Sequence, residues 1–444
     1  LKERDFGKNE QFTVDFGDHL VGYVSLTIKP TGSPPDAPLR LKLIFGEMPC
    51  EIGESFDDYD GWLSRSWLQE EIIHADELPC VIQLPRRYSF RYMKVVVLDT
   101  SRKYKAAFSN ICCTAVTSAD RSRLKPLAPH VPDDLRHMDR VAVKTLQDCM
   151  QSVFEDGPKR DRRLWIGDLR LQALANYCTF GNHELVKRCL YLFGGLTREG
   201  DVVGACVFEK PEPLVDDTVL FDYSLFFVAT LYDYYKATED RQALEELWPI
   251  ALKQLDNACG RLDAHGVVVD DDSWWCFTDW HPELNKQASA QGVLIYCLKR
   301  GLQLAAAMGL KDQAQWIAER IERASAAAMT HLWDQEQGFF VSGTDAQVSW
   351  ASQIWMVLAE VLDEQGNKEL MERLYRVNPD IRIRTPYMFH HLVEALAING
   401  DKERALAELL AYWGSMLKDG ADCFFEGDDP KESRAITYRE LHTE

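Results

Sequence analysis

No apolar run in this chain reaches the roughly 18 residues that a membrane-crossing helix needs, so no membrane partner is expected. Its twelve cysteines form neither a CxxC pair nor a Cys/His pattern with the spacing of a zinc site. Cys112 and Cys113 are adjacent, and most of the cysteines read as small buried apolar side chains of a reducing compartment. Positive charge is scarce: 50 Lys and Arg against 70 Asp and Glu leave a net charge of −20. Nucleic-acid binding relies on Lys and Arg, so that partner is excluded, whereas a neutral substrate is compatible. The acidic surplus also serves solubility. No EF-hand spacing surrounds Asp270–Asp272, which reads as a solvated turn rather than a calcium site, and no metal is expected. An initiator methionine and a signal peptide are missing as well. Leu1 reads as mid-domain, so the natural protein is expected to begin earlier, with a removed export signal left open.

What is present is a long chain, 444 residues, 46% hydrophobic and 27% charged, which suits a globular protein of two or three domains. Residues 1–118 read as strands at 12–16, 21–28, 39–45, 88–98 and 106–116, separated by Gly and Pro clusters, which predicts an antiparallel β-sandwich. Residues 119–134, with Pro126, Pro129 and Pro132, form a linker. From 135 to 444 the apolar period becomes helical. Eleven segments are predicted, near 135–154, 167–180, 182–194, 220–237, 240–259, 286–308, 311–331, 346–364, 367–377, 386–399 and 401–417. Tight corners join several of them: Gly181-Asn182, Thr238-Glu-Asp240, Gly309-Leu-Lys-Asp312, Gln365-Gly-Asn367 and Asn399-Gly-Asp401.

Short links make antiparallel helix pairs, and repeated pairs suggest an (α/α)6 toroid. Five hairpins are complete. A twelfth helix, either short within 430–444 or lost with a C-terminal portion, is needed to close the ring, and the expectation is that this catalytic domain, 135–444, is truncated at its C-terminal end. In such a ring the tight corners share one end. The long links, at 155–167, 195–219, 260–285, 332–345, 378–385 and from 418 onward, must then gather at the other.

Those long links carry the unusual chemistry. The first reads Asp156-Gly-Pro-Lys-Arg160-Asp161-Arg-Arg-Leu-Trp165-Ile-Gly-Asp168. Asp270-Asp-Asp-Ser-Trp274-Trp275, Asp279-Trp280, Leu332-Trp333-Asp334 and Phe424-Phe425-Glu426-Gly-Asp428-Asp429 are expected to face the same funnel. Paired carboxylates can cleave a glycosidic bond, one protonating the leaving oxygen and the other activating water or attacking carbon. Indoles hold the apolar face of a sugar, and Asp and Arg bind its hydroxyls. Plainer roles stand beside these. Asp156 and Asp168 can cap or charge helix starts, Trp274, Trp275 and Trp333 can be core anchors, and Asp428-Asp429 can simply face solvent. Tyr232, Tyr234, Tyr235 and Trp413 read as packing residues, and His390-His391 as structural.

The first motif resembles the signature of the bacterial α-L-rhamnosidases of glycoside hydrolase family seventy-eight. Asp279-Trp280 with Lys286-Gln287-Ala-Ser-Ala-Gln291, and Gly420-Ala-Asp-Cys-Phe-Phe-Glu426, fit it too, as do Asp15-Phe-Gly17 and Arg91-Tyr92 in the strand-rich part. The resemblance implies an inverting hydrolase that removes terminal α-L-rhamnosyl or similar deoxyhexosyl residues from an oligosaccharide or glycoside without a cofactor, and the cysteine usage points to a bacterial cytoplasm, with export left open. It implies Asp161 as general acid and Glu426 as general base. Asp156, Arg160 and Asp168 would bind hydroxyls and set the electrostatics, with Trp165, Trp280, Asp222 and Asp279 at the sugar subsite. Among basic neighbours of Asp161, Arg160 and Arg162 are expected to oppose the negative charge of Asp156 and Asp168. The chain departs from the family in having Asp161 where many relatives carry Glu, and it offers only His442 for a histidine beyond the base. Other readings are an (α/α)6 unsaturated-uronide hydrolase, which needs a basic pocket, or an inactive carbohydrate-binding protein. A homodimer is left open.

Overall fold

The computed structural model describes residues 4–53, 64–271 and 273–426. The expected positions Asp272, Asp428, Asp429 and His442, and any helix within 430–444, lie outside the described residues. The first part is an antiparallel sheet of seven strands: β1 (Asp5–Phe6), β2 (Gln11–Gly32), β3 (Leu39–Gly46), β4 (Glu70–Ala75), β5 (Cys80–Gln83), β6 (Tyr88–Asp99) and β7 (Tyr104–Ala115). Their order is β1-β7-β2-β6-β3-β4, with β5 also on β2. Strand β2 organises the sheet. Its first half pairs with β6, its second half pairs with β7, and β5 takes the edge that β6 leaves. The sequence predicted two strands here. They are one, because the irregularity between Asp15 and Leu20, with Gly17 at φ 82°, bends the backbone without ending the ladder. Alternate residues Val24, Leu26 and Ile28 of β2 bury with Leu39, Leu41 and Leu43 of β3 and Met93, Val95 and Val97 of β6.

The helices are α1 (Asp133–Cys149), α2 (Ile166–Cys178), α3 (His183–Gly195), α4 (Phe221–Thr238), α5 (Arg241–Cys259), α6 (Gln287–Met308), α7 (Lys311–Ala327), α8 (Trp350–Leu358), α9 (Glu364–Val377), α10 (Pro386–Ile398) and α11 (Lys402–Lys418). Helices α2, α4, α6, α8 and α10 contact one another in that order, and α3, α5, α7, α9 and α11 each back onto the preceding one. The inner helices are buried nearly all round, as α8 shows with all nine residues buried. Helix α1 packs against α2, α11 and β2, and so joins sheet to helices. Among the described residues no helix is long and apolar enough to cross a membrane.

The tight corners are made as their residue types require. Asn182, Asp240 and Asp401 accept hydrogen bonds from Leu185, Ala243 and Arg404 backbone N–H groups. Gly181, Gly309 and Gly400 supply left-handed backbone before the turn. One corner differs from expectation. Gln365-Gly-Asn367 lies inside the first turn of α9, and the turn comes earlier, ending at Asp363, whose carboxylate accepts from Gly366 N–H. Its asparagine and glycine resemble a corner, but Asp363 caps the helix first. All twelve cysteines are free thiols, and only Cys189, Cys206, Cys276, Cys297 and Cys423 are buried, fewer than expected.

Candidate active site

The loop between α1 and α2 folds back on itself. Asp156 N–H donates to the Arg163 carbonyl at 2.8 Å, Arg160 N–H to the Gly157 carbonyl at 3.0 Å, and Arg162 N–H to the Asp156 carbonyl at 3.1 Å. Gly157 has φ 52°, and Arg162 has φ 58°, which is strained for a residue with a side chain. The Arg162 guanidinium holds that conformation by donating to the carbonyls of Pro158 at 3.1 Å and Arg87 at 2.6 Å. Arg162 therefore points away from the carboxylates it was expected to balance. Arg163 takes that place, with Nε 2.9 Å from Asp161 Oδ1. Trp165, just after a two-residue strand β8 (Leu164–Trp165) begins, donates its indole N–H to Asp161 Oδ2 at 2.7 Å. Asp168 sits in the first turn of α2.

The segment after α11 brings Glu426 to the same place. Phe424 N–H donates to Thr145 Oγ1 of α1 at 2.9 Å, and Arg91 of β6 reaches Asp422 at 3.2 Å. Arg160 Nη2 then meets Glu426 Oε2 at 3.2 Å, so the first motif and the last loop are joined by an ion pair. The Arg160 guanidinium also lies over the Trp67 ring, 5.1 Å from its centroid.

Asp156, Asp161, Asp168 and Glu426 all line one cavity of about 590 Å³. Crowded carboxylates in a buried site hold their protons. Burial first, then Asp168, Glu426 and Asp161, push Asp156 well above the usual carboxylate range. Burial, then Glu426 and Asp161, push Asp168 up to about 7. Burial also raises Glu426, with Asp161 adding to it and Arg160 opposing. Aromatic side chains form the facing wall. Tyr223 lies edge-on to Trp165 with ring centroids 6.2 Å apart, Phe277 to Tyr223 at 5.8 Å, and Trp280 to Phe277 at 5.3 Å. Trp275 and Trp280 also line the cavity and are 57% and 56% exposed. Leu171, Gln172 and Ala175 of α2, His390 of α10 and Trp413 of α11 also line the cavity.

Of the expected site residues, Asp156, Arg160, Asp161, Trp165, Asp168, Trp280 and Glu426 are brought together. Asp222 and Asp279 do not line the cavity and are fully buried behind its wall. Asp222 accepts from the backbone N–H groups of Phe277 at 3.1 Å and Thr278 at 2.9 Å, and Asp279 from those of Arg384 at 2.8 Å and Thr385 at 3.0 Å. Both fasten the loops that carry the aromatic wall. Asp334 and Trp333 also miss the funnel: they form a hairpin, where Trp333 packs on Phe340 and Asp334 caps the turn at Glu336. Trp274 donates to the Val269 carbonyl and packs on Phe221. His390 and Trp413, read as structural and packing residues, line the cavity instead. Sequence reasoning missed Tyr223, Phe277, Tyr387, Arg163 and Trp67. The available signal was position, since Tyr223 and Tyr387 stand in the first turns of inner helices that start at the long links.

Residues 1–115 match the model of the glycosyl hydrolase family 78 α-rhamnosidase N-terminal domain. Residues 132–434 match the bacterial α-L-rhamnosidase six-hairpin glycosidase domain. Among solved structures, a rhamnosidase from Klebsiella oxytoca with rhamnose bound is 52% identical, over 97% of this chain and 83% of that one, with a TM-score of 0.94. A family 78 rhamnosidase of Bacillus sp. GL1 shares the fold at 20% identity and a TM-score of 0.83, over all of this chain and 46% of that one. An α-L-rhamnosidase from Aspergillus terreus does so at 15% identity and a TM-score of 0.71, over 97% and 51%. A search of the curated proteins found no match. The chain belongs to the bacterial α-L-rhamnosidase family of six-hairpin glycosidases.

Proposed function

We propose that this protein hydrolyses terminal α-L-rhamnosyl glycosides with inversion, Asp161 serving as general acid and Glu426 as general base. The observation that carries this is the meeting of two sequence-distant carboxylates in one aromatic-walled cavity, with Arg160 tying Glu426 to the Asp161 loop. Burial raises the basicity of Glu426, which suits abstraction of a proton from water. The water attacks the anomeric carbon as Asp161 protonates the departing oxygen. Asp156 and Asp168 bind ring hydroxyls, and Trp165, Tyr223 and Phe277 cover the apolar face. Lys159, Arg160 and Arg163 each face a protein carboxylate, which argues against a pocket built for a uronate.

A second assignment of the acid deserves a test because Asp168 is pushed up to about 7, near neutral working pH. Aryl and alkyl α-L-rhamnosides separate the two. Asp161→Asn should lose about a thousandfold in kcat on an alkyl rhamnoside and far less on a dinitrophenyl rhamnoside, whose leaving group needs little protonation. That pattern in Asp168→Asn instead would move the acid to Asp168. Glu426→Gln should lose about a thousandfold on both substrates. Proton NMR of the first product should show the β-anomer. First appearance of the α-anomer, or cleavage of a different sugar in preference, would overturn the proposal.

A further inference from the structure

One wall of the cavity comes from the sheet and carries charged groups with no part in the reaction above. At its centre is His19, in the irregular stretch of β2 between Asp15 and Leu20 and only 2% exposed. Its Nδ1 lies 2.6 Å from Asp148 Oδ2 of α1, and its Nε2 lies 2.9 Å from Glu47 Oε1 and 3.0 Å from Ser89 Oγ. A carboxylate stands at each ring nitrogen. Both can accept a hydrogen bond only if both nitrogens carry protons, which makes His19 an imidazolium. Burial opposes that charge, but the hydrogen bonds to Asp148, Cys423 and Glu47 raise the His19 pKa well above its ordinary value. The surrounding charges balance. Lys144 reaches Asp148 at 2.6 Å, and Lys159 reaches Glu51 at 2.8 Å and Glu47 at 3.3 Å, so three cations face three carboxylates. His19, Glu47 and Cys423 have donor atoms within 4.8 Å of one another, as a metal site would, but this balance needs no further cation. Burial also pushes the Cys423 thiol up to about 11, so the sulfur keeps its proton at neutral pH.

The two loops that carry the hydrolytic pair both touch this cluster. Lys159, held by Glu47, immediately precedes Arg160, the partner of Glu426, and stands two residues before Asp161. Cys423, beside His19, stands three residues before Glu426. We propose that His19 is a positioning residue, through which the sheet sets the distance between the Asp161 loop and the Glu426 loop. An inverting glycosidase must hold that gap open for one water, and an error of about 1 Å in such placement costs on the order of a hundredfold in rate. The inference rests on the assignment of Asp161 and Glu426 made above.

The test compares His19→Gln, which keeps bulk but cannot donate at both ends, with Glu47→Gln, which weakens the same link from the other side. Each is measured on nitrophenyl α-L-rhamnoside and on α-L-rhamnosyl fluoride, with kcat expressed per folded protein from circular dichroism. The fluoride needs a base but little acid assistance. Both variants should lose about ten- to a hundredfold in kcat on both substrates, with KM changed less than about threefold. A purely structural role would lower the folded fraction and leave kcat per folded protein alone. Values within about twofold of the parent in either variant that folds, or a loss confined to KM, would overturn the proposal. Asp161→Asn and Glu426→Gln run beside them. If those two keep full activity, the catalytic assignment fails; if they lose it while His19→Gln and Glu47→Gln keep it, only the positioning role fails.

Discussion

Asp161 has both carboxylate oxygens occupied, one by the Trp165 indole N–H at 2.7 Å and one by Arg163 at 2.9 Å. Trp165 thus has two tasks, an apolar face for the sugar and a donor that aims the acid. Trp165→Phe keeps the first and removes the second. A neutral hydrogen bond contributes roughly 0.5–1.5 kcal/mol, so kcat should fall about two- to tenfold with a smaller change in KM. A KM effect alone would mean that the indole only holds substrate. Asp168 makes a prediction about stability. An unfolded aspartate loses its proton near pH ~4, whereas the folded protein keeps it up to about 7. Between those values the folded chain binds more protons than the unfolded one, so this group's contribution falls as pH rises through the window. Asp168→Asn, neutral throughout, should therefore stabilise the protein more at pH ~8 than at pH ~5, by roughly 1–4 kcal/mol. Thermal melts at the two pH values check it, and equal gains would contradict the raised value. The motif showed in sequence which carboxylates crowd together. It did not show which arginine serves them, because the left-handed turn at Arg162 decides which side chain faces inward.

Helices were legible from their period and their caps, with the corner before α9 the clearest miss. Asp363 closes that corner, and Asp363→Ala should cost about 1 kcal/mol in chemical denaturation. An equivalent change at Asn367, inside the helix, would have a different cause, namely its buried packing. The inner ring sets a second requirement. A Cβ built at Gly292 of α6 would stand 2.9 Å from the Trp355 carbonyl carbon of α8, so the two helices approach too closely for a larger residue. Gly292→Ala should destabilise by about 1–3 kcal/mol, and a neutral result would mean that α8 yields easily. Nothing in the α6 sequence announced this contact. A glycine in a helix reads as a weak point until a neighbouring backbone is found against it.

At the scale of the molecule, the sheet and the helices meet through buried ion pairs as well as apolar contact. Arg87 pairs with Glu155 at 2.5 Å, and Lys159 with Glu51 and Glu47. Removing one partner leaves charge buried, so Lys159→Met should destabilise by about 3–5 kcal/mol, measured by denaturant unfolding. A loss below about 1 kcal/mol would mean that water reaches the glutamates. The sequence by itself determined the succession of strands and then paired helices, and the stock of carboxylates and indoles in the long links. Those follow from periodicity and residue type, which are local and survive in any window of the chain. Only the tertiary structure decided that Asp156, Asp161, Asp168 and Glu426 share a cavity while Asp222 and Asp279 turn away to clamp backbone. It alone placed His19, Glu47 and Trp67 of the strand-rich part in the wall of a pocket among helices. Such meetings depend on how whole elements pack and on where each buried polar group finds its partner, and no local pattern encodes either.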